Sequence, residues 1–280
     1  MITQSHIDLY HGQGYLIVSQ LFSDDEIAFF KEHYEAMRQR EANSQEEWAG
    51  DTDYDVRDPL LTYPRLMQPH RRDETSLNWL IDERLNQVMT ALLGQEPFAV
   101  QTMYYFKPPG ARGQALHQDQ YYLRVQPGTC MAAWMAVDDC DEKNGCLRVV
   151  PGSHDWPVLC LTDADTTQSF TDVTVPLPEG TPVEPVIMKA GDVLFFNGQL
   201  VHGSLPNSSH NRFRQALIGH YIVGEAKQVY EWYHPVLRMD GSEIKLETSE
   251  VGGTCGVVKT IEGQSEFEIQ VEMVNEKIFG

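Results

Sequence analysis

The sequence predicts a mainly β fold with flanking helices, a sandwich or barrel, on three observations. Between about Phe98 and Val223, short runs of β-branched and aromatic residues are separated by Pro, Gly and Asp turns. Ahead of them, residues 5–93 read as mostly helical. The chain has 280 residues, 41% hydrophobic and 22% charged, which suits one large domain with its own core rather than a disordered chain.

Ser23-Asp24-Asp25-Glu26 has the Ser-x-x-Glu form of a capping box. A helix is expected from there to about Arg40, with Ile27, Phe29, Phe30 and Met37 as its apolar residues. Residues 46–69 begin acidic and carry three prolines, which predicts a loop. A second helix is expected from about Ser76 to Leu93, ended by Gly94. Strands are expected at 100–106, 115–125, 131–137, 147–150, 183–188, 193–196 and 215–223. Residues 161–182, rich in Asp, Thr and Pro, interrupt these as a surface loop or lid. Weak alternation through Val257, Ile261, Phe267, Ile269 and Val271 predicts one or two more strands. The three regions, 1–97, 98–223 and 224–280, are read as parts of one domain.

The formal charge is −20, from 41 acidic against 21 basic residues. Such a surface repels phosphate backbones and anionic membranes, so neither nucleic acid nor membrane is expected as a partner. No apolar run approaches the length of a membrane helix, and the N-terminus shows no secretory signal pattern. Five cysteines without a CxxC pair argue against a disulfide framework or zinc knuckle. Reduced thiols and a cytoplasmic location are the expectation.

The chemistry concentrates in Ala115-Leu116-His117-Gln118-Asp119-Gln120-Tyr121. On a strand, side chains two apart share a face, so His117 and Asp119 would project together. The best third ligand is His202, which follows a Gly-Asp turn and a buried-looking strand and leads into Gly203-Ser204. Two imidazoles and a carboxylate make a facial triad with open metal positions. That set suits Fe(II), and the open positions can take a 2-oxoacid and O2. The far carboxylate of 2-oxoglutarate then needs a cation, best a bidentate guanidinium. Arg214 is the first candidate, Arg212 a competitor, and Ser204 a hydroxyl donor to the same group.

His117-Gln118-Asp119, Ala133-Trp134-Met135-Ala136, Asn144-Gly145-Cys146-Leu147, Pro151-Gly152-Ser153-His154, His202-Gly203-Ser204 and Phe213-Arg214-Gln215-Ala216 occur in that order. Together they resemble the phytanoyl-CoA dioxygenase family, over roughly residues 98–223. HxD alone is weak, but the ordered set is specific. The resemblance implies a double-stranded β-helix, a jelly-roll and cupin-like fold. It also implies Fe(II)- and 2-oxoglutarate-dependent chemistry with O2, usually hydroxylation of an unactivated C–H in a small molecule. In it His117, Asp119 and His202 match the iron ligands. Arg214 and Ser204 match the carboxylate-binding pair, and Gln101 matches a polar position that contacts the cosubstrate in some members. Iron halogenases in the family replace the carboxylate ligand with a small residue, so Asp119 favours hydroxylation. Desaturation, epimerisation or cyclisation by the same machinery is the enzymatic alternative. A cupin-like binding protein without turnover is the alternative from another class; it would lack a ligand or the arginine, and neither is missing here.

Other residues divide between packing and the site. Trp134, Tyr105 and Tyr121 are candidates for the substrate pocket, although aromatic residues of barrels mostly fill cores. Tyr104 and Tyr105 must face opposite ways, so only one can point inward. His154 is expected to be structural or to support the site. His220 stands at even odds between interior and exterior. The remaining histidines read as ordinary surface, helix-face or turn residues, and Asp138, Asp139 and Asp141 as a solvated acidic turn.

Overall fold

The structure, a computed structural model, describes residues 2–44, 59–250, 253–261 and 264–272. Helix α1 (Gln4–Gln13) stops at Gly14, whose φ of 83° suits a residue without a Cβ, and strand β1 (Tyr15–Val18) follows. Helix α2 (Asp24–Ser44) starts at the expected capping box: Ser23 N–H donates to Glu26 Oε2 at 2.8 Å and Glu26 N–H to Ser23 Oγ at 3.3 Å. Ile27, Phe30, Tyr34 and Met37 form its buried stripe at helical spacing, whereas Phe29 points outward. Of the expected loop at 46–69, residues 46–58 lie outside the described residues. The remainder holds the short strand β2 (Leu66–Met67) between two single-turn helices.

The expected single helix over 76–93 is two helices, α3 (Glu74–Leu80) and α4 (Glu83–Leu93). Asp82 between them caps α4, its carboxylate accepting from Arg84 N–H at 2.8 Å, and Gly94 ends α4 as expected. A carboxylate that satisfies the free N–H groups of a new first turn makes restarting cheaper than continuing.

The β region supplies β3 (Phe98–Tyr105), β4 (Gln114–His117), β5 (Cys130–Ala136), β6 (Leu147–Val149), β7 (Thr162–Asp163), β8 (Val173–Thr174), β9 (Glu184–Val186), β10 (Val193–Asn197), β11 (His202–Ser204) and β12 (Ala216–Ile222). After these come β13 (Gln228–Tyr230), β14 (Val236–Leu237), β15 (Glu243–Ile244), β16 (Glu247–Ser249) and a hairpin of β17 (Gly253–Ile261) with β18 (Gln264–Glu272). A large sheet runs β1-β10-β5-β12-β3-β14-β15, with β2 also on β3, and a small sheet runs β4-β11-β6-β9. All pairs within both sheets are antiparallel. This is a double-stranded β-helix.

Strand alternation decides what each face meets. From β5 and β10, Ala133, Met135, Val193 and Phe195 pack with α2 to α4, where Tyr34 stacks on Tyr104 with ring centres 4.1 Å apart. The alternate residues Ala132, Trp134, Ala136, Leu194 and Phe196 meet Leu147, Val149 and Val186 of the small sheet. Each large side chain sealed this way contributes roughly 1.5–3 kcal/mol. The helices thus back the large sheet and leave the space between the sheets for the site. No helix among the described residues is long and apolar enough to cross a membrane.

One expectation is overturned: Cys160 and Cys255 form a disulfide, with Cα atoms 4.9 Å apart across 95 positions of sequence. Local spacing cannot reveal such a pair. The C-terminal hairpin creates it by docking on the chain after β6, where Cys160 N–H donates to Gly256 O at 3.0 Å and Gly256 N–H to Val158 O at 2.7 Å. Cys130, Cys140 and Cys146 are buried free thiols.

Candidate active site

The sequence expects His117 and Asp119 on one strand, but β4 ends at His117. Gln118 remains extended, at φ −124° and ψ 124°, and Asp119 opens helix α5 (Asp119–Leu123), closed by Arg124 at φ 53°. The extended Gln118 keeps the alternation, so His117 and Asp119 still lie on one side. A carboxylate in a helix first turn is also favoured by the helix dipole. Across the small sheet, His202 at the start of β11 is the direct register partner of His117.

Asp119 Oδ1 lies 3.5 Å from His117 Nε2 and 3.7 Å from His202 Nε2, and one ligand atom from each residue falls within 4.8 Å of the others. All three residues are buried. His117 Nδ1 donates to Ala115 O at 2.9 Å and His202 Nδ1 to Leu200 O at 3.0 Å. A carbonyl only accepts, so each Nδ1 carries the hydrogen and each Nε2 turns a lone pair toward the shared centre. Burial, and then the neighbouring His117, push His202 down to about 4. Burial alone would raise Asp119, but His202, His220 and His117 hold it well below the usual carboxylate range. Two imidazoles that present Nε2 and one carboxylate make a set that fits a divalent iron.

Three more residues brace this centre. His220 on β12 donates from Nε2 to Asp119 Oδ2 at 3.0 Å, and its Nδ1 meets Gln101 Oε1 on β3 at 2.9 Å. Gln101, expected at the cosubstrate, therefore reaches Asp119 through His220. Gln118 turns away from the centre: its Nε2 donates to Gln199 O at 2.8 Å and Pro157 O at 3.2 Å, and its Oε1 accepts from Leu159 N–H at 2.7 Å. Among the aromatic residues of α5, Tyr122 approaches His117, with ring centres 6.2 Å apart, while Tyr121 packs on Arg124 and Tyr122.

Arg214 and Arg212 have opposite fates. Arg212 forks onto Asp141 with two 2.8 Å hydrogen bonds at the surface. Arg214 is buried, donates from Nε to Gly145 O at 3.1 Å and stands 5.2 Å from the Trp134 ring centre. It lines a pocket together with Tyr63, Arg65, Tyr105, Lys107, Arg112 and Phe170. Tyr105 thus faces a pocket and Tyr104 the helices. Ser204 Oγ accepts from Lys107 Nζ at 2.9 Å and from Gln114 N–H at 3.1 Å. His154 is structural, its Nε2 meeting His11 O at 3.0 Å.

Sequence reasoning missed Lys107 and the bracing by Gln118. A lysine inside the apolar run Tyr104-Tyr105-Phe106-Lys107 was the one visible signal, because a buried ammonium needs a reason.

Comparison with known proteins agrees with this geometry. The family model for phytanoyl-CoA dioxygenase (PhyH) matches residues 10–216. Phytanoyl-CoA dioxygenase 1 of Oryza sativa subsp. japonica is 32% identical over 160 residues, 56% of either chain. Phytanoyl-CoA dioxygenase of Arabidopsis thaliana is 25% identical over 256 residues, covering 80% of this chain and 90% of that one. Among solved structures, the non-heme α-ketoglutarate-dependent carbocyclase of nogalamycin biosynthesis superposes with a TM-score of 0.65 at 21% identity, over 81% of this chain and 86% of that one. EctD from S. alaskensis, solved with 2-oxoglutarate and 5-hydroxyectoine, gives 0.61 at 23% identity, over 79% and 76%. The chain belongs to the phytanoyl-CoA dioxygenase family, and with it to the oxygenases that depend on iron and 2-oxoglutarate.

Proposed function

We propose that this protein hydroxylates an unactivated C–H bond of a small metabolite or natural-product intermediate. The observation that carries the reading is the convergence of His117 Nε2, His202 Nε2 and Asp119 Oδ1, with Ser204, two residues after His202, hydrogen-bonded to Lys107 in the wall of the pocket that Arg214 lines. When bound, iron and 2-oxoglutarate supply the oxidising power with O2, and the oxoacid leaves as succinate and CO2.

The chain's own residues do the positioning. His117 and His202 are each held by the carbonyl two residues back, Ala115 O and Leu200 O, which fixes Nδ1 as the hydrogen-bearing nitrogen and leaves Nε2 as the ligand atom. Asp119 brings the anionic ligand and is steadied by His220. Arg214 and Ser204 are assigned the far carboxylate of the cosubstrate, the guanidinium as a planar fork and the hydroxyl as a single donor. Trp134 lies against Arg214 and limits water there. Tyr105 and Phe170, which line the same pocket, are assigned to substrate contact.

The test is an anaerobic titration of metal-free protein with Fe(II) and 2-oxoglutarate, followed by succinate release over a panel of metabolites. A visible charge-transfer band and substrate-dependent succinate are expected, with both lost in Asp119→Ala. Turnover by Asp119→Ala at the wild-type rate would sink the ligand assignment. Mass analysis of the product separates hydroxylation, a gain of one oxygen, from desaturation, epimerisation or ring closure.

A further inference from the structure

Lys107 is buried at 3% exposure in a left-handed backbone conformation, φ 38°, that residues other than glycine rarely hold. Its Nζ is met by three oxygens: Ser204 Oγ at 2.9 Å, Gly145 O at 3.2 Å and, closest, Leu205 O. These three oxygens take up the donors of the amine, so Lys107 has no hydrogen left for a ligand, and burial, then Arg214, hold it well below the usual lysine range.

What the lysine does to its neighbours is more telling. Ser204 Oγ accepts from Lys107 and also from Gln114 N–H at 3.1 Å. With both lone pairs taken, its single hydrogen must point elsewhere. Gly145 O accepts from Lys107 and from Arg214 Nε at 3.1 Å, so one carbonyl sets both cations. The main-chain carbonyl of Lys107 in turn accepts from Arg214 N–H at 3.1 Å. Position 145 tolerates only glycine: a Cβ there would lie 2.6 Å from Leu205 O and 2.9 Å from Lys107 Cε, at φ 82°.

We propose that Lys107 is a positioning residue of the 2-oxoglutarate subsite, orienting the Ser204 hydroxyl directly and the Arg214 guanidinium through Gly145, without touching the cosubstrate. This rests on the reading that Arg214 and Ser204 hold the far carboxylate.

Lys107→Met keeps the apolar stem and removes the donors. Calorimetric titration of 2-oxoglutarate into Mn(II)-loaded protein under nitrogen is expected to show binding weakened about 10-fold or more, as befits loss of the donor that orients Ser204 and leaves buried acceptors unpaired. The Kd for Mn(II) is expected to stay within about 2-fold, because the triad is untouched. In a Ser204→Ala background the same change should cost less than it does in wild type, because the route through Ser204 is already lost and only the one through Gly145 and Arg214 remains. A merely structural lysine would instead lower metal and oxoacid binding together. Should Lys107→Met fail to fold, Lys107→Arg keeps N–H donors there but not the three-way geometry, and is expected to bind 2-oxoglutarate about 3-fold more weakly or worse. Wild-type affinity in whichever variant folds, or full additivity with Ser204→Ala, overturns the proposal. Absence of 2-oxoglutarate binding by the wild type overturns the cosubstrate reading itself, and the role of Lys107 with it.

Discussion

The two oxygens of Asp119 are divided between two tasks: Oδ1 faces His117 and His202, and Oδ2 takes a 3.0 Å hydrogen bond from His220 Nε2. His220 therefore fixes the angle at which the carboxylate meets a metal. His220→Ala is expected to weaken Fe(II) binding by about 10–100-fold, the usual cost of losing an outer partner of a ligand. Competition against a chromophoric chelator measures this, and unchanged affinity would remove His220 from the centre.

The two arginines can be told apart by substitution. Arg214→Lys should weaken 2-oxoglutarate binding at least about 10-fold, since a point charge replaces a planar fork. Arg212→Ala breaks only a surface pair with Asp141 and should leave that affinity unchanged, with little effect on stability. The opposite pattern would transfer the cosubstrate to Arg212.

His70 gives the stability a pH dependence. Burial, then Arg71 and Arg72, push it down to about 4, and its Nδ1 meets Thr102 Oγ1 at 2.7 Å. The unfolded chain, with a histidine near 6.5, binds more protons than the native one in between. Stability is thus whole above about pH 6.5 and is lost as pH falls toward 4, by at most roughly 1.4 kcal/mol per pH unit. Thermal melts across that range should fall less steeply for His70→Gln than for wild type. Parallel curves would show that His70 does not carry the effect.

The disulfide joins the C-terminal hairpin to the chain after β6, away from the three ligands in sequence. Cys255→Ser should lower stability by about 2–4 kcal/mol and speed proteolysis of the hairpin, while metal affinity stays at its wild-type value. Reductant should reproduce the loss in wild type and do nothing further to the variant. A variant as resistant as wild type would mean that backbone pairing alone holds the hairpin.

The triad was legible because metal ligands leave a trace that geometry only has to confirm. His117 and Asp119 alternate, and His202 emerges after a strand in a Gly-Ser turn. The strand over 115–125 was not, since nothing in Gln118-Asp119-Gln120 forbids continued extension until Asp119 is needed as both ligand and first helical residue. The break at Asp82 was missed for a related reason: apolar spacing runs straight through 76–93, and one capping carboxylate decides otherwise. His70 read as an ordinary turn residue, and it does sit in a turn. Its burial comes from β3 lying over that turn, which no local pattern encodes. Lys107 and the disulfide share this cause. Their partners lie about a hundred positions away, and only the closed sheets bring them together.

Gln118 stands between two ligands and faces the other way, its amide bound to the main chain at Pro157, Leu159 and Gln199. It ties the segment bearing His117 and Asp119 to the approach to His202 without using a single atom of the pocket. Substitutions in the pocket wall therefore need not loosen the segment that carries His117 and Asp119. One framework can serve many chemistries when the parts that must not change are fastened from behind.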